Sequence, residues 1–130
     1  MKEPVCTALL FADRVIVENN GKKGIIGTFN KIYAPMFPVQ TAPWGIYAAI
    51  TNVVGKHNFQ VALNHMETNQ NILLIPGEMQ ASNPDEVIEL TFNTAGVGFP
   101  SEGKYSLSLT VGSELLSSIV LSVEVMKAIG

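Results

Sequence analysis

The sequence predicts an all-β protein, an antiparallel β-sandwich of about eight or nine strands that forms a single domain over residues 1–130. The segments between turn residues are short and rich in Val, Ile, Leu, Thr, Phe and Tyr, which strands favour. No long segment keeps a helical period of apolar residues, so crossover helices are not expected. Turn residues recur about every 8 to 12 positions, a spacing typical of sandwiches.

The first half of the chain predicts a hairpin, a connection and a strand. Residues 19–21 are Asn-Asn-Gly, and these residues tolerate the positive φ that a tight hairpin turn requires. Residues 34–43 contain three prolines, which cannot donate ladder hydrogen bonds, so this segment is expected at a sheet edge or in a connection. A strand is then predicted for residues 44–53.

The second half predicts further strands and a long hairpin. Residues 55–56 are expected to form a turn, and residues 57–68 the strand after it. Residues 88–93 alternate between apolar and polar side chains. Residues 105–125 have the clearest alternation, which predicts an antiparallel hairpin with one buried face and a turn near residues 112–113.

Two histidines in the strand predicted for residues 57–68 raise the question of a metal site. His57 and His65 share one face of this strand, but eight residues separate them by about 26 Å, which exceeds one coordination sphere. His65 and Glu67 remain a possible ligand pair, but a site needs a third ligand, for which Glu78 across the following turn is only a candidate. We expect no metal and no other cofactor, and interpret the histidines as residues at the rim of a sheet.

A weaker alternative site combines Asp13 with His65 and Glu67 at one end of the sandwich. The adjacent Asp13 and Arg14 interrupt apolar strand segments, so they predict either an ion pair that orders the hairpin or a contact surface. A small enzyme or a small-ligand site would use such groups, whereas a carbohydrate site would use an exposed Trp44 or Tyr47 as a stacking platform. No Gly-x-Ser-x-Gly motif is present, and no catalytic residues are predicted.

The main candidate for a binding surface is a proline-aromatic segment. Its side chains are aromatic rings and a methionine held on a stiff backbone, which suits recognition at low entropic cost. The alternative is that Phe37 and Trp44 close the core, and the sequence leaves both open. The candidate residues are Tyr33, Met36, Phe37, Trp44 and Tyr47.

Composition limits the partners and the location. Only 15% of the residues are charged, against about 25% in a typical soluble domain, so apolar surface is expected to need a partner. The net charge of −3 and the scattered basic residues disfavour nucleic acid. No segment is long and apolar enough for a membrane helix. One cysteine, Cys6, cannot form an internal disulfide, which favours the cytoplasm, and no signal peptide is expected.

Short motifs resemble a bacterial family of small proteins of unknown function. Residues 12–14 (Ala-Asp-Arg), 25–27 (Ile-Ile-Gly) and 34–38 (Ala-Pro-Met-Phe-Pro) are similar to the opening of that family, and residues 97–116 are similar to its later hairpin. The resemblance implies an immunoglobulin-like sandwich and supplies no activity. Tyr105, two residues after Gly103, resembles the tyrosine of a tyrosine corner, whose hydroxyl would bond to the preceding backbone.

These observations favour a non-enzymatic protein-binding or assembly module over a small enzyme. Self-association through an edge or through the proline-aromatic segment and an unknown protein partner are both compatible with the sequence. The identity of the partner is not predicted.

Overall fold

The computed structural model describes residues 3–126, which contain strands and no helices, so no helix there could cross a membrane. Residues 1–2 and 127–130 of the predicted domain lie outside this range. The strands are β1 (Val5–Val17), β2 (Lys23–Phe29), β3 (Lys31–Ala34), β4 (Val39–Gln40), β5 (Gly45–Thr51), β6 (Gly55–His65), β7 (Asn71–Ala81), β8 (Ile88–Asn93), β9 (Gly98–Phe99), β10 (Gly103–Val111) and β11 (Glu114–Val125).

Two sheets form the predicted sandwich. Sheet A has the strand order β2-β1-β5-β8, sheet B has the order β3-β11-β10-β6-β7, and β4 pairs with β9 separately. The described range holds eleven strands rather than eight or nine because β3, β4 and β9 are only four, two and two residues long, too short to show a period. β3 pairs parallel to β11, an exception to the antiparallel expectation, because the chain passes from sheet A to sheet B near Asn30.

The hydrophobic core lies between the inner faces of the two sheets. In β10, Tyr105, Leu107 and Leu109 are fully buried, while the alternating Ser106 and Ser108 are partly exposed, as predicted. The largest buried side chains come from both sheets, so one core joins them. They include Ile46, Ile50, Leu63, Phe99, Tyr105, Leu107, Leu109 and Leu121.

The tyrosine corner is present. The hydroxyl of Tyr105 donates to the backbone oxygen of Ser101 at 2.6 Å, and its ring packs edge-on against Phe99 at 5.0 Å. Together with the parallel β3–β11 pair and the two-sheet order, this supports the immunoglobulin-like sandwich.

The predicted hairpins have the expected turns, with one shift. Gly21 has φ 86° in the β1–β2 turn, and Gly112 has φ 62° in the β10–β11 turn. The turn predicted for residues 55–56 lies earlier, because Asn52 adopts φ 61° and β6 already begins at Gly55. Asparagine tolerates this left-handed conformation through its short polar side chain.

Candidate functional site

His65 is a structural residue, with 2% of its surface exposed. Its Nδ1 accepts hydrogen bonds from the backbone N–H groups of Glu67 (3.1 Å) and Thr68 (3.4 Å), and its Nε2 donates to the backbone oxygen of Glu102 (3.2 Å). Since both ring nitrogens have partners, neither is free for a metal. A Cβ at Gly103, where φ is 141°, would lie 2.9 Å from Nε2, so the ring also requires this glycine.

The other residues of the hypothetical metal site do not converge. His57 lies at the opposite end of β6, where its Nε2 contacts the backbone oxygen of Val54 at 2.9 Å. The side chain of Glu67 is exposed, and Glu78 forms an ion pair with Lys56 at 3.3 Å. Residues 3–126 contain no group of three or more His, Cys, Asp or Glu that could hold a metal ion.

Asp13 and Arg14 do not form the ion pair that one interpretation of the sequence predicted. Both are exposed, and the one salt bridge within residues 3–126 joins Lys56 to Glu78. Adjacent residues of a strand point to opposite faces, which keeps the two charges apart. Asp13 instead lines a cleft of about 260 Å³ with Lys31 and Trp44, and His65 does not line it, so the weaker alternative site is not assembled.

The proline-aromatic residues do not share one surface. Trp44 is only 4% exposed and packs edge-on against Phe11 and Phe29, with ring centroids 5.9 and 6.0 Å away. Its Nε1 donates to Oγ1 of Thr41 at 3.2 Å. Phe37 is half-buried against the core, so the core interpretation holds for both residues. A tryptophan this deeply buried offers no stacking platform for a sugar.

The other three candidate residues of the proline-aromatic segment, Tyr33, Met36 and Tyr47, lie in two separate places. Tyr33 is exposed on β3, at the edge of sheet B, and Met36 is exposed shortly after it. Tyr33 lines a cavity of about 630 Å³ with Glu102, Glu124, Val125 and Met126. Tyr47 lies on sheet A instead, where adjacent residues of β5 point into the core.

Tyr47 connects β5 to the edge strand β8. Its hydroxyl donates to Oε2 of Glu89 at 2.5 Å. Burial, together with this hydrogen bond and the negative charge of Glu89, raises the pKa of Tyr47 to about 12. The hydrogen bond from Tyr47 therefore holds the Glu89 carboxylate on β8, the edge strand of sheet A.

An unexpected feature is one side of the sandwich where two strands have unpaired edges. β1 pairs with β2 only from Phe11 onwards, so residues 5–10 have no strand partner on that edge within the described chain. β11 pairs with β3 only from Ser122 onwards, so residues 114–121 are likewise unpaired there. We call these two segments together the open side.

A shallow apolar groove lies between the two segments of the open side. It has a volume of about 350 Å³. Val120 beside it is 45% exposed, and Leu115, on the same segment of β11, is 63% exposed. The groove is lined by Leu9, Leu10, Phe11, Thr28, Phe29, Asn30, Ile119 and Val120.

The backbone of β11 offers hydrogen-bonding groups along this edge. The N–H of Ser122 donates to the backbone oxygen of Asn30, which lies on the β3 side. Alternate residues of a strand direct their backbone groups to the same side, so Ser118 and Val120 direct theirs to the free edge. The pairing with β10 is regular from Ser117 to Val123, because the irregularity of this ladder lies before Ser117.

The remaining edges of sheets A and B carry residues that oppose strand addition. β7 contains Pro76 and Glu78, and β8 contains Glu89. β2 and β3 begin with Lys23 and Lys31. Prolines and charges are the usual protection of edge strands, whereas the open side has one charge, Glu114, at the end of β11. Its two irregularities, near residues 7 and 116, leave the regular stretches beside the groove unprotected.

Sequence reasoning missed the open side. Two signals were present: residues 5–12 are almost continuously apolar, and residues 115–121 contain no charge. Neither signal identifies an edge, because that depends on which distant strands pair.

Family comparison places the chain in a group without an assigned activity. The model described as "Family of unknown function (DUF6941)" matches residues 7–124. The chain belongs to this family. The expectation that the chain is a member of a family of unknown function is thereby confirmed, and no curated protein matches the chain.

Two similar solved structures are crystal structures of β-glucosidase from Listeria innocua, one of them in complex with isofagomine. Each is 12% identical to this chain, with a TM-score of 0.49. Each match covers 94% of this chain and 16% of the glucosidase chain, so the chain spans a small part of that enzyme's length.

Proposed function

We propose that this chain is a non-enzymatic protein-binding or assembly module that uses its open side. The single observation that carries the proposal is the pair of unprotected strand edges, residues 5–10 and 114–121, beside an apolar groove. Unpaired N–H and C=O groups on a regular edge are satisfied by another strand, and alternating side chains then contact the groove. The partner is a protein, since the open side has no basic residue for nucleic acid.

The placement of the titratable groups supports a binding role over an enzymatic one. Both nitrogens of His65 are bonded to backbone groups, and the side chains of Asp13 and Glu67 are exposed. General acid-base chemistry needs such groups within reach of one substrate. We further propose a reducing compartment such as the cytoplasm, because Cys6 is the only cysteine.

The test compares one charged substitution on the open side with a matched one elsewhere. Val120→Lys places a charge on the free edge of β11, and Leu74→Lys places one on β7. The two side chains are 45% and 50% exposed, so both variants should fold. Tagged native protein and both variants would be used to capture partners from cells of its source, with quantitative mass spectrometry.

The proposal predicts that Val120→Lys captures fewer partners than Leu74→Lys, whether those partners are other proteins or further copies of this chain. Equal sets of captured proteins for all three chains, together with equal masses in solution, would show that the open side is not a binding surface.

A second candidate is a small-ligand site in the cavity of about 630 Å³ at the β3 end of sheet B. Its lining combines Tyr33, Met126 and two carboxylates, Glu102 and Glu124, which suits a cationic group. Titration with alkylammonium compounds, followed by NMR chemical shifts of Tyr33, would test it. Shifts that disappear in Tyr33→Ala support the site, and unchanged spectra across the series reject it.

A further inference from the structure

We propose that the cleft of about 260 Å³ beside Trp44 binds a free α-amino acid with an aliphatic side chain. Asp13 binds the ammonium group of this ligand, Lys31 binds its carboxylate, and its aliphatic side chain packs against the apolar wall of the cleft. The site goes beyond the proposed function. The cleft shares Phe29 with the groove of the open side, but neither of its two charged residues lines that groove.

The fold places the carboxylate of Asp13 at an inward-facing position of sheet A. Asp13 lies between Phe11 and Val15 on β1, and alternate residues of a strand share one face. Phe11 and Val15 are 2% and 5% exposed, whereas Asp13 is exposed where the cleft opens. A charge at an inward-facing position requires solvent or a partner. The cleft provides the opening through which a cationic group can reach this carboxylate.

Gly27 makes room for the carboxylate of Asp13. The regular register of β1 with β2 sets Gly27 opposite Asp13. A Cβ at residue 27 would overlap Oδ2 of Asp13, and Gly27 has φ 69°, a conformation that glycine adopts most readily. The carboxylate therefore lies against the backbone of β2, which fixes its position beside the cleft.

Lys31 brings the opposite charge to the same cleft. It is the first residue of β3, so it belongs to sheet B, while Asp13 belongs to sheet A. Within residues 3–126 the one salt bridge joins Lys56 to Glu78, so Asp13 and Lys31 line the cleft without forming an ion pair. A molecule with an ammonium group and a carboxylate complements both charges, whereas a molecule with one charge leaves one residue without a partner.

The rest of the cleft offers an apolar wall that is already fixed in place. Thr41 lines the cleft, but its hydroxyl donates to the backbone oxygen of Val97 and accepts from the N–H of Val97 and from Nε1 of Trp44. A threonine hydroxyl has no further hydrogen-bonding position. Phe29 and Ile32 then present apolar surface, which suits an aliphatic group. A sugar would leave many of its hydroxyls without partners on such a wall.

The volume of the cleft fits one small molecule. A water molecule takes up about 30 Å³ of the liquid, so about 260 Å³ has room for about nine non-hydrogen atoms. L-Leucine has this size. A longer peptide exceeds it, so the ligand that fits is a single amino acid.

The test is a titration of the full chain with L-leucine, followed by the NMR signals of the Trp44 indole N–H and of the amides of residues 29–32. Two probes with one charge each are compared: isoamylamine lacks the carboxylate of leucine, and isocaproate lacks its ammonium group. Leucine should shift these signals and bind about tenfold or more tightly than either probe, because it makes one more charged hydrogen bond. Equal affinity for the three compounds, or no shift of these signals, overturns the proposal.

Two variants separate the roles of the two charges. Asp13→Asn should weaken leucine binding about tenfold or more without weakening that of isocaproate, and Lys31→Met should weaken leucine binding without weakening that of isoamylamine. Glu67→Gln and Lys104→Met are the matched controls, because both residues are exposed and lie outside the cleft. Thermal unfolding confirms that the variants are folded. Leucine binding that persists unchanged in Asp13→Asn and Lys31→Met overturns the site.

The outcomes separate this site from the open side. Val120→Lys should bind leucine as the native chain does, because Val120 does not line the cleft. Loss of leucine binding in Val120→Lys would place the ligand in the groove of the open side and overturn the cleft as its site. A native chain that does not bind leucine overturns this inference alone, since the capture of partners at the open side does not depend on it.

Discussion

The two lateral sides of this sandwich solve the problem of sheet edges in opposite ways. On one side, the edges are β8 and β7, which carry Glu89, Pro76 and Glu78. On the other, the open side, residues 5–10 and 114–121 are free edges with one charge between them. Edge protection follows from proline and charge rather than from strand length, because β7 and β11 are similarly long.

The contrast shows that the lack of edge protection is confined to a segment of a strand, and that a short strand covering the edge removes it. The last four residues of β11, Ser122–Val125, are covered by β3, and the free part of β11 begins where that short strand ends. A sandwich that protects the other edges of sheets A and B, yet leaves two facing segments and an apolar groove free, is consistent with a surface that another chain covers.

The largest expected effect comes from removing the protection of β7. Pro76→Val with Glu78→Thr would create a second adhesive edge opposite the open side, and a molecule with two such edges forms open chains. Sedimentation should then show larger species than the native chain forms, and adding Val120→Lys should reduce them. Gln80→Val is the control because it leaves both protecting residues in place, and an unchanged mass of the double variant contradicts the role assigned to them.

A smaller effect is expected from replacing one isoleucine with alanine on each lateral side of the sandwich. Ile119→Ala and Ile75→Ala each remove half-buried methylenes and should cost about 1 to 2 kcal/mol of unfolding free energy, less than a fully buried residue. Because a bound partner stabilises the folded chain by mass action, the difference between native and Ile119→Ala should grow with the concentration of a partner captured at the open side. Urea denaturation at two concentrations measures this, and a growing difference for Ile75→Ala as well would remove the contrast between the sides.

Tyr47 tests how Glu89 is held on the protected edge. The fold raises the pKa of Tyr47 from 10.0 to about 12, through burial first and then the hydrogen bond and charge of Glu89. The stabilisation is therefore complete below pH 10 and disappears as the pH rises through about 12. The difference in unfolding free energy between native and Tyr47→Phe should shrink over that range.

Tyr33→Phe is the control for this titration, because Tyr33 is exposed on β3 and has no carboxylate bonded to its hydroxyl among the described contacts. A similar pH dependence in Tyr33→Phe would mean that the effect does not come from the Tyr47–Glu89 pair.

The smallest effect is expected at the ion pair between Lys56 and Glu78. Both side chains are well exposed, and such pairs contribute about 0.5 kcal/mol or less. Lys56→Met should change the urea midpoint little and leave the mass unchanged, since Glu78 and Pro76 remain. An increased mass would instead show that the pair, and not the charge of Glu78, protects β7.

Local patterns of the sequence predicted much of this structure. The turns at residues 19–21 and 112–113 and the alternation in β10 depend on neighbouring residues, and all three were predicted. Tyr105 was recognised as a tyrosine corner for the same reason. The proline-aromatic segment was harder, because Trp44 points into the core while Tyr47, three positions later, lies on the other face.

By itself, the sequence determined an all-β sandwich, its hairpins and the inward face of its clearest strands, because turn chemistry and a period of two act over a few residues. Only the tertiary structure decided that β1 pairs with β5, that β3 stops along β11 at Ser122, and that His65 bonds to Glu102. These contacts join residues about 35 to 90 positions apart, and their register follows from packing of the whole core rather than from local pattern. The open side arises from that long-range pairing.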